Sequence, residues 1–304
     1  MAATRASSQR TDEVPTRQDA WRRIDWRAHQ RWVPVEGRSV NAIDLGAGPP
    51  VVLVHGLSGN WQNWLPVLPA LAERGHRGIA FDLPGFGHSQ MPERDITIPR
   101  YGLAVDAVLD ALGVEGPAAV VGSSMGGLIA AELAIARPQR VERLVLVSAA
   151  ALWNEQLRAR PLVAASKVSR FYAPLLASGW EVIAHLPRLR HEVLRAAGIR
   201  NPSRISAPLA CELLSGTGKP GFIDALQALY DYRIRDRLPE IACPALIVWG
   251  TADPVVPLRH AFEFQRLIPR SRVAVFPGAG HAPMLELPER FNRALLDFLA
   301  EDAR

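Results

Sequence analysis

Short apolar runs recur along the chain and set its plan. Gln30–Val35 and residues 39–45 flank Glu36-Gly37, which predicts a β-hairpin. Residues 50–55 (PVVLVH) form a continuous apolar run, the pattern of a strand buried on both faces. The same type returns at 77–82 (RGIAFD), 118–123 (AAVVGS), 141–148 (VERLVLVS), 244–250 (PALIVWG) and 271–277 (SRVAVFP). Helical patterns lie between them. Residues 101–112 carry Val105, Val108, Leu109 and Leu112 at helical spacing, 125–136 follow a strand directly, and 290–300 close the chain. Such alternation predicts an α/β domain, with a mostly parallel central sheet flanked by helices.

Residues 150–235 break that rhythm. They show helical patterns at 161–176, 180–184, 188–197 and 220–230 and no strand. This stretch is expected to form a helical cap over the C-terminal edge of the sheet, where open α/β folds bind ligands. The expected organisation is an N-terminal extension over 1–30, a core over 31–149 and 236–304, and the cap or lid over 150–235. Residues 1–19 are polar and aperiodic and read as a mobile tail. Trp21, Ile24 and Trp26 suggest a short helix within 20–31, packed on the body.

Composition narrows the class. The 304 residues are 48% hydrophobic and 21% charged, which suits a globular chain and not a disordered one. No apolar run approaches the roughly 20 residues of a membrane span. The first 30 residues are polar and Arg-rich, so neither an integral membrane segment nor a secretory signal is expected. Cys211 and Cys243 are the only cysteines, too few for a disulfide framework or a four-thiolate zinc site, and they suit a reducing cytoplasm. The net charge is +5, and every basic residue except Lys167 and Lys219 is arginine. Residues 151–235 hold 12 basic against 6 acidic residues. Because acids interleave with the bases, a solvated Arg-rich surface is expected and no nucleic-acid partner.

The strongest local signal is G-x-S-x-G at Gly122, Ser124 and Gly126. Chance alone would produce such a pattern in about one chain in ten of this length. Its position between a predicted strand and a predicted helix is what gives it weight. A turn of this kind strains the serine backbone and lifts the hydroxyl out. Serine at its free pKa is a poor nucleophile and needs a base. His281 lies in a Gly-rich loop after the last predicted strand. The base needs a carboxylate to set its tautomer, and Asp253 follows the preceding strand in Gly250-Thr-Ala-Asp-Pro. Ser124, Asp253 and His281 thus all follow strands of one parallel sheet. Oxyanion donors are expected from the Met125 N–H, behind the nucleophile, and the Leu57 N–H, in the loop after residues 50–55.

These residues carry a resemblance. From about residue 35 to the end, the chain resembles the α/β-hydrolase superfamily, with the poorest fit across the cap. Four features match in order: His55-Gly56, the 82–89 segment DLPGFGHS, the 122–127 turn, and Gly250-x-x-Asp253 with Gly280-His281. The resemblance implies the α/β-hydrolase fold, a loop beside the site formed by 82–89, and a structural His55. It also implies hydrolysis of a carboxylic ester of modest size through an acyl-enzyme, with no cofactor and no metal. Ser124 stands where epoxide hydrolases and haloalkane dehalogenases have Asp, which argues against an alkyl-enzyme. Hydrolases of meta-cleavage products often carry an aromatic after the catalytic histidine, where this chain has Ala282. C–C bond hydrolysis, perhydrolase or haloperoxidase-like chemistry and acyl transfer share the same triad. A non-catalytic ligand-binding receptor is the remaining alternative.

Substrate contacts are the least legible. Trp61 and Trp64 would either line an aromatic pocket or pack at a helix start. Trp153, with Phe171, Tyr172 and Trp180, would either line an acyl pocket or pack cap against body. No spacing suggests a metal site.

Overall fold

The computed structural model describes residues 17–150 and 179–301. The expected tail over 1–16, the helical pattern over 161–176 and Trp153 lie outside them. The strands are β1 (Gln30–Val35), β2 (Arg38–Leu45), β3 (Pro50–Val54), β4 (Arg77–Phe81), β5 (Ala118–Ser123), β6 (Val141–Val147), β7 (Ala245–Gly250) and β8 (Ser271–Phe276). They form one sheet in the order β1-β2-β4-β3-β5-β6-β7-β8. The hairpin is antiparallel, with Val33 opposite Val40, and β2 also runs antiparallel to β4. From β4 to β8 every neighbour is parallel. Parallel register brings the C-terminal ends of β3, β5, β6, β7 and β8 to one edge, with Val54 opposite Gly122 and Ser123 opposite Val147.

Side chains on successive strand residues point to opposite faces, and the strands divide their apolar residues accordingly. Val52, Val54, Val120, Leu144 and Ile247 enter one core. Val51, Leu53, Val121, Val145 and Val248 enter the other. Helices cover both. On the first face lie α2 (Ile98–Ala111), α3 (Met125–Ala136) and α8 (Arg259–Leu267). On the second lie α1 (Leu68–Glu73), α9 (Pro283–Glu286) and α10 (Pro288–Leu299). Burial on both sides is why the strands read as unbroken apolar runs.

Between β6 and β7 the described residues form α4 (Trp180–His185), α5 (Pro187–Ala196), α6 (Ala207–Leu214) and α7 (Phe222–Asp231), with no strand. Ala184, Leu194, Leu209 and Leu213 join the second core, and Ala225 joins the first. α1, α6, α8 and α9 have no counterpart in the pattern read from sequence. α1 and α9 are six and four residues long, too short for a 3.6-residue period to emerge.

Residues 17–19, expected in the tail, belong to a 3₁₀ turn over Arg17–Arg23, and a second follows at Trp26–His29. Tertiary packing holds Trp21 and Trp26 in place. Trp21 is buried in the second core, the Trp26 indole N–H donates to the Trp21 carbonyl at 2.9 Å, and Trp26 lies 5.2 Å from the Trp61 ring.

Candidate active site

Ser124 directly follows β5 and is the N-cap residue of α3, with φ 54° and ψ −117°. A serine at an N-cap ordinarily accepts a bond from the first turn of its helix. Ser124 makes no such bond. The left-handed backbone, a strain of about 1–3 kcal/mol, turns the hydroxyl away from the helix it starts. Surrounding backbone holds it there. The Ser124 N–H donates to Val147 at 2.9 Å, and the Ser124 carbonyl accepts from Gly127 at 3.0 Å and Ala150 at 3.1 Å. Gly126 is obligatory here, because a Cβ on it would overlap the carbonyl oxygens of Val54 and His55. That close approach seats the N-terminus of α3 against the end of β3, and its unpaired N–H groups favour negative charge beside Ser124.

The loop after β3 comes to the same point. A Cβ on Gly56 would lie 3.7 Å from Ser124 Oγ. The Gly56 carbonyl accepts from His55 Nδ1 at 2.7 Å and from the Gly59 N–H at 3.0 Å. A trans peptide directs its C=O and N–H oppositely. Pinning the Gly56 carbonyl therefore aims the Leu57 N–H the other way. Among the described residues neither the Leu57 nor the Met125 N–H has a protein acceptor.

His55 is fully buried and fixed as one tautomer, because its Nε2 accepts from the Leu83 N–H at 3.0 Å. Burial lowers its pKa, against the opposing effects of Asp82 and the Gly56 carbonyl. Its two ring nitrogens are both occupied. Asp82 organises the loops around it. Its carboxylate accepts from the Trp61 N–H at 2.8 Å, the His88 N–H at 2.9 Å and the Asn41 side-chain amide at 2.8 Å.

Asp253 and His281 meet at the far side of the same sheet edge, in the loops after β7 and β8. His281 Nδ1 lies 2.9 Å from Asp253 Oδ2. The other Asp253 oxygen accepts the Val255 and Val256 N–H groups at 2.8 and 2.9 Å. The Asp253 side chain is fully buried, and the His281 side chain is 13% exposed. A carboxylate only accepts, so the proton belongs on Nδ1 and the Nε2 lone pair is left free. Among the described residues no hydrogen bond joins Ser124 Oγ to the imidazole, a contact that is often long before substrate binds.

Trp61 and Trp64 both lie in the 3₁₀ turn that follows the loop after β3. Both are buried, Trp64 completely, and both belong to the second core. A cavity of about 710 Å³ lies between residues 91–99 and α7, and its walls include Met91 and Asp224 but not Ser124. It is separate from the serine. Burial pushes the Cys243 thiol up to about 11, so it stays protonated at neutral pH. Two contributors escaped the sequence reading. Asn60 donates to the Glu212 carbonyl at 3.2 Å, tying the loop after β3 to α6. Glu286 accepts from the Gly280 N–H at 2.8 Å, next to His281. The only sequence signal for Glu286 is a single charge inside the apolar stretch Met284-Leu285-Glu286-Leu287.

Comparison with known proteins identifies the fold. A family model described as alpha/beta hydrolase fold matches residues 49–288. A 2-hydroxy-6-oxo-2,4-heptadienoate hydrolase of Pseudomonas putida is 32% identical over 290 residues, covering 90% of this chain and 96% of that protein. Among solved structures, a hydrolase from Pseudomonas aeruginosa superposes with a TM-score of 0.72 at 28% identity, covering 90% of this chain and 98% of its own. An esterase from Exiguobacterium antarcticum gives 0.69 at 27% identity, covering 89% and 98%.

Proposed function

The chain belongs to the α/β-hydrolase family, and on that premise we propose that it is a serine hydrolase cleaving a carboxylic ester of modest size through a covalent acyl-enzyme. The observation that carries this reading is Ser124 itself, an N-cap serine in a left-handed backbone that leaves its helix uncapped. His281 Nε2 takes the hydroxyl proton while Ser124 Oγ attacks the acyl carbonyl. The Leu57 and Met125 N–H groups hold the oxyanion, each contributing about 3 kcal/mol to the transition state. Protonated His281 then gives its proton to the leaving alcohol. It next activates a water that releases the acid, and Asp253 keeps the ring in one tautomer throughout. The helices between β6 and β7 serve as the cap. We place it in a reducing cytoplasm, since two cysteines are too few for a disulfide framework.

Hydrolysis of a C–C bond by the same three residues is the second reading. The name of the Pseudomonas putida relative favours it.

The test is a chromogenic ester series, acetyl to dodecanoyl, with wild type and Ser124→Ala in parallel. Wild type should turn over the shorter esters, and the variant should lose about 10⁴-fold or more in kcat with its fold intact. An equally active alanine variant would sink the mechanism. Wild type inert to every ester but active on a 2-hydroxy-6-oxo-dienoate would select the second reading.

A further inference from the structure

Glu286 ends α9 and is 1% exposed, flanked by the buried Met284 and Leu285. Among the described residues it forms no ion pair, and N–H groups alone meet its two oxygens. One oxygen accepts from the Gly280 N–H at 2.8 Å. The other accepts from the Asn201 N–H at 2.9 Å and the Asn201 side-chain amide at 3.1 Å. That same amide also donates to the Gly278 carbonyl at 2.8 Å. Thus the carboxylate bridges two segments about 80 residues apart: the loop carrying His281, and the turn after α5.

Backbone packs against backbone at this junction. The His281 N–H donates to the Gly198 carbonyl at 2.9 Å. A Cβ on Gly198 would lie 2.8 Å from the His281 Cβ, and one on Gly280 would lie 2.7 Å from the Arg200 nitrogen. Turn and loop therefore pack too closely at Gly198 and Gly280 to admit a Cβ. Asp253 holds the His281 ring, whereas the turn and Glu286 grip the backbone from which that ring hangs.

We propose that Glu286 is a positioning residue, whose carboxylate clamps the His281 loop to residues 198–204 so that base and cap segment move as one body. This rests on His281 acting as the base of the proposed reaction. Only a carboxylate offers acceptors on both sides. Glutamine would set an N–H₂ against either the Gly280 or the Asn201 N–H and open half of the clamp. The seat of the base would then loosen, and a displacement of about 1 Å costs on the order of 100-fold in rate.

The experiment compares wild type, Glu286→Gln and Asn201→Ala as full chains, by hydrogen exchange and by ester kinetics. In Glu286→Gln the amides of 198–204 and 278–281 should exchange faster together, by about 10-fold or more, while α3 and β5 keep their protection. kcat should fall about 10- to 100-fold with little change in KM. Asn201→Ala retains its backbone bond to the carboxylate and should show a smaller change in both readouts. If Glu286→Gln does not fold, Asn201→Ala carries the same two measurements. Unchanged protection of the two segments overturns the clamp. Faster exchange with unchanged kcat per folded molecule overturns the positioning role. Wild type inert to esters overturns the proposed reaction instead, and the exchange measurement still decides the clamp.

Discussion

Asp253 divides its two oxygens between different tasks. Oδ1 takes the Val255 and Val256 N–H groups and so belongs to its own turn. Oδ2 faces His281 Nδ1. Asparagine would preserve the first arrangement and reverse the second, because its N–H₂ would oppose an N–H. The imidazole would move its proton to Nε2 and lose the lone pair that accepts from Ser124. Asp253→Asn should therefore lower kcat about 10⁴-fold on a short ester, with a melting temperature close to wild type. A variant within tenfold of wild type would remove Asp253 from the mechanism. Ser124, Asp253 and His281 were legible because each sits a fixed few residues beyond an apolar run. Glu286 was not, because its partner Asn201 is 85 positions away and nothing local links them.

Helix α3 shows how an element places chemistry. It is apolar almost all round, with Met125 to Ala134 buried without a break. Such a helix is held by contact on every side rather than by an amphipathic face. Its first turn must approach β3 and β5 closely, and Gly126 is the residue that allows it. Gly126→Val would force the turn away from the Val54 and His55 carbonyls, at a cost of about 3 kcal/mol in stability. Urea denaturation should show this as a lower midpoint, and activity should fall with it because Ser124 and the Met125 N–H move together. An unchanged midpoint would show that the approach can relax. The strands were readable from sequence to within a residue or so, since two-sided burial writes itself as continuous hydrophobicity. The short helices left no such trace, and neighbours rather than periodicity decide their existence.

Two buried histidines make the stability of the whole molecule depend on pH. Burial lowers the pKa of His55, with Asp82 opposing, and burial and Arg259 together lower that of His260. The unfolded chain takes up these protons near pH 6.5, whereas the folded chain resists them. Their contribution is therefore full above about pH 6.5 and is lost as pH falls through it toward the folded values. Urea midpoints should be lower at pH 5.5 than at pH 7.5, and the difference should shrink in His55→Asn. An equal decline in that variant would remove His55 as a cause. From sequence alone came the alternation of strands and helices, the interruption after β6, the serine turn, and the order of serine, acid and base. Each is local, written in spacing and in residues that fit one backbone geometry. Only the tertiary structure decided that both tryptophans after β3 pack inward, that Asp82 ties three segments together, and that Glu286 fastens the turn after α5 to the His281 loop. Those outcomes depend on side chains meeting across long stretches of chain, where burial leaves a carboxylate no water and makes any N–H within reach its partner.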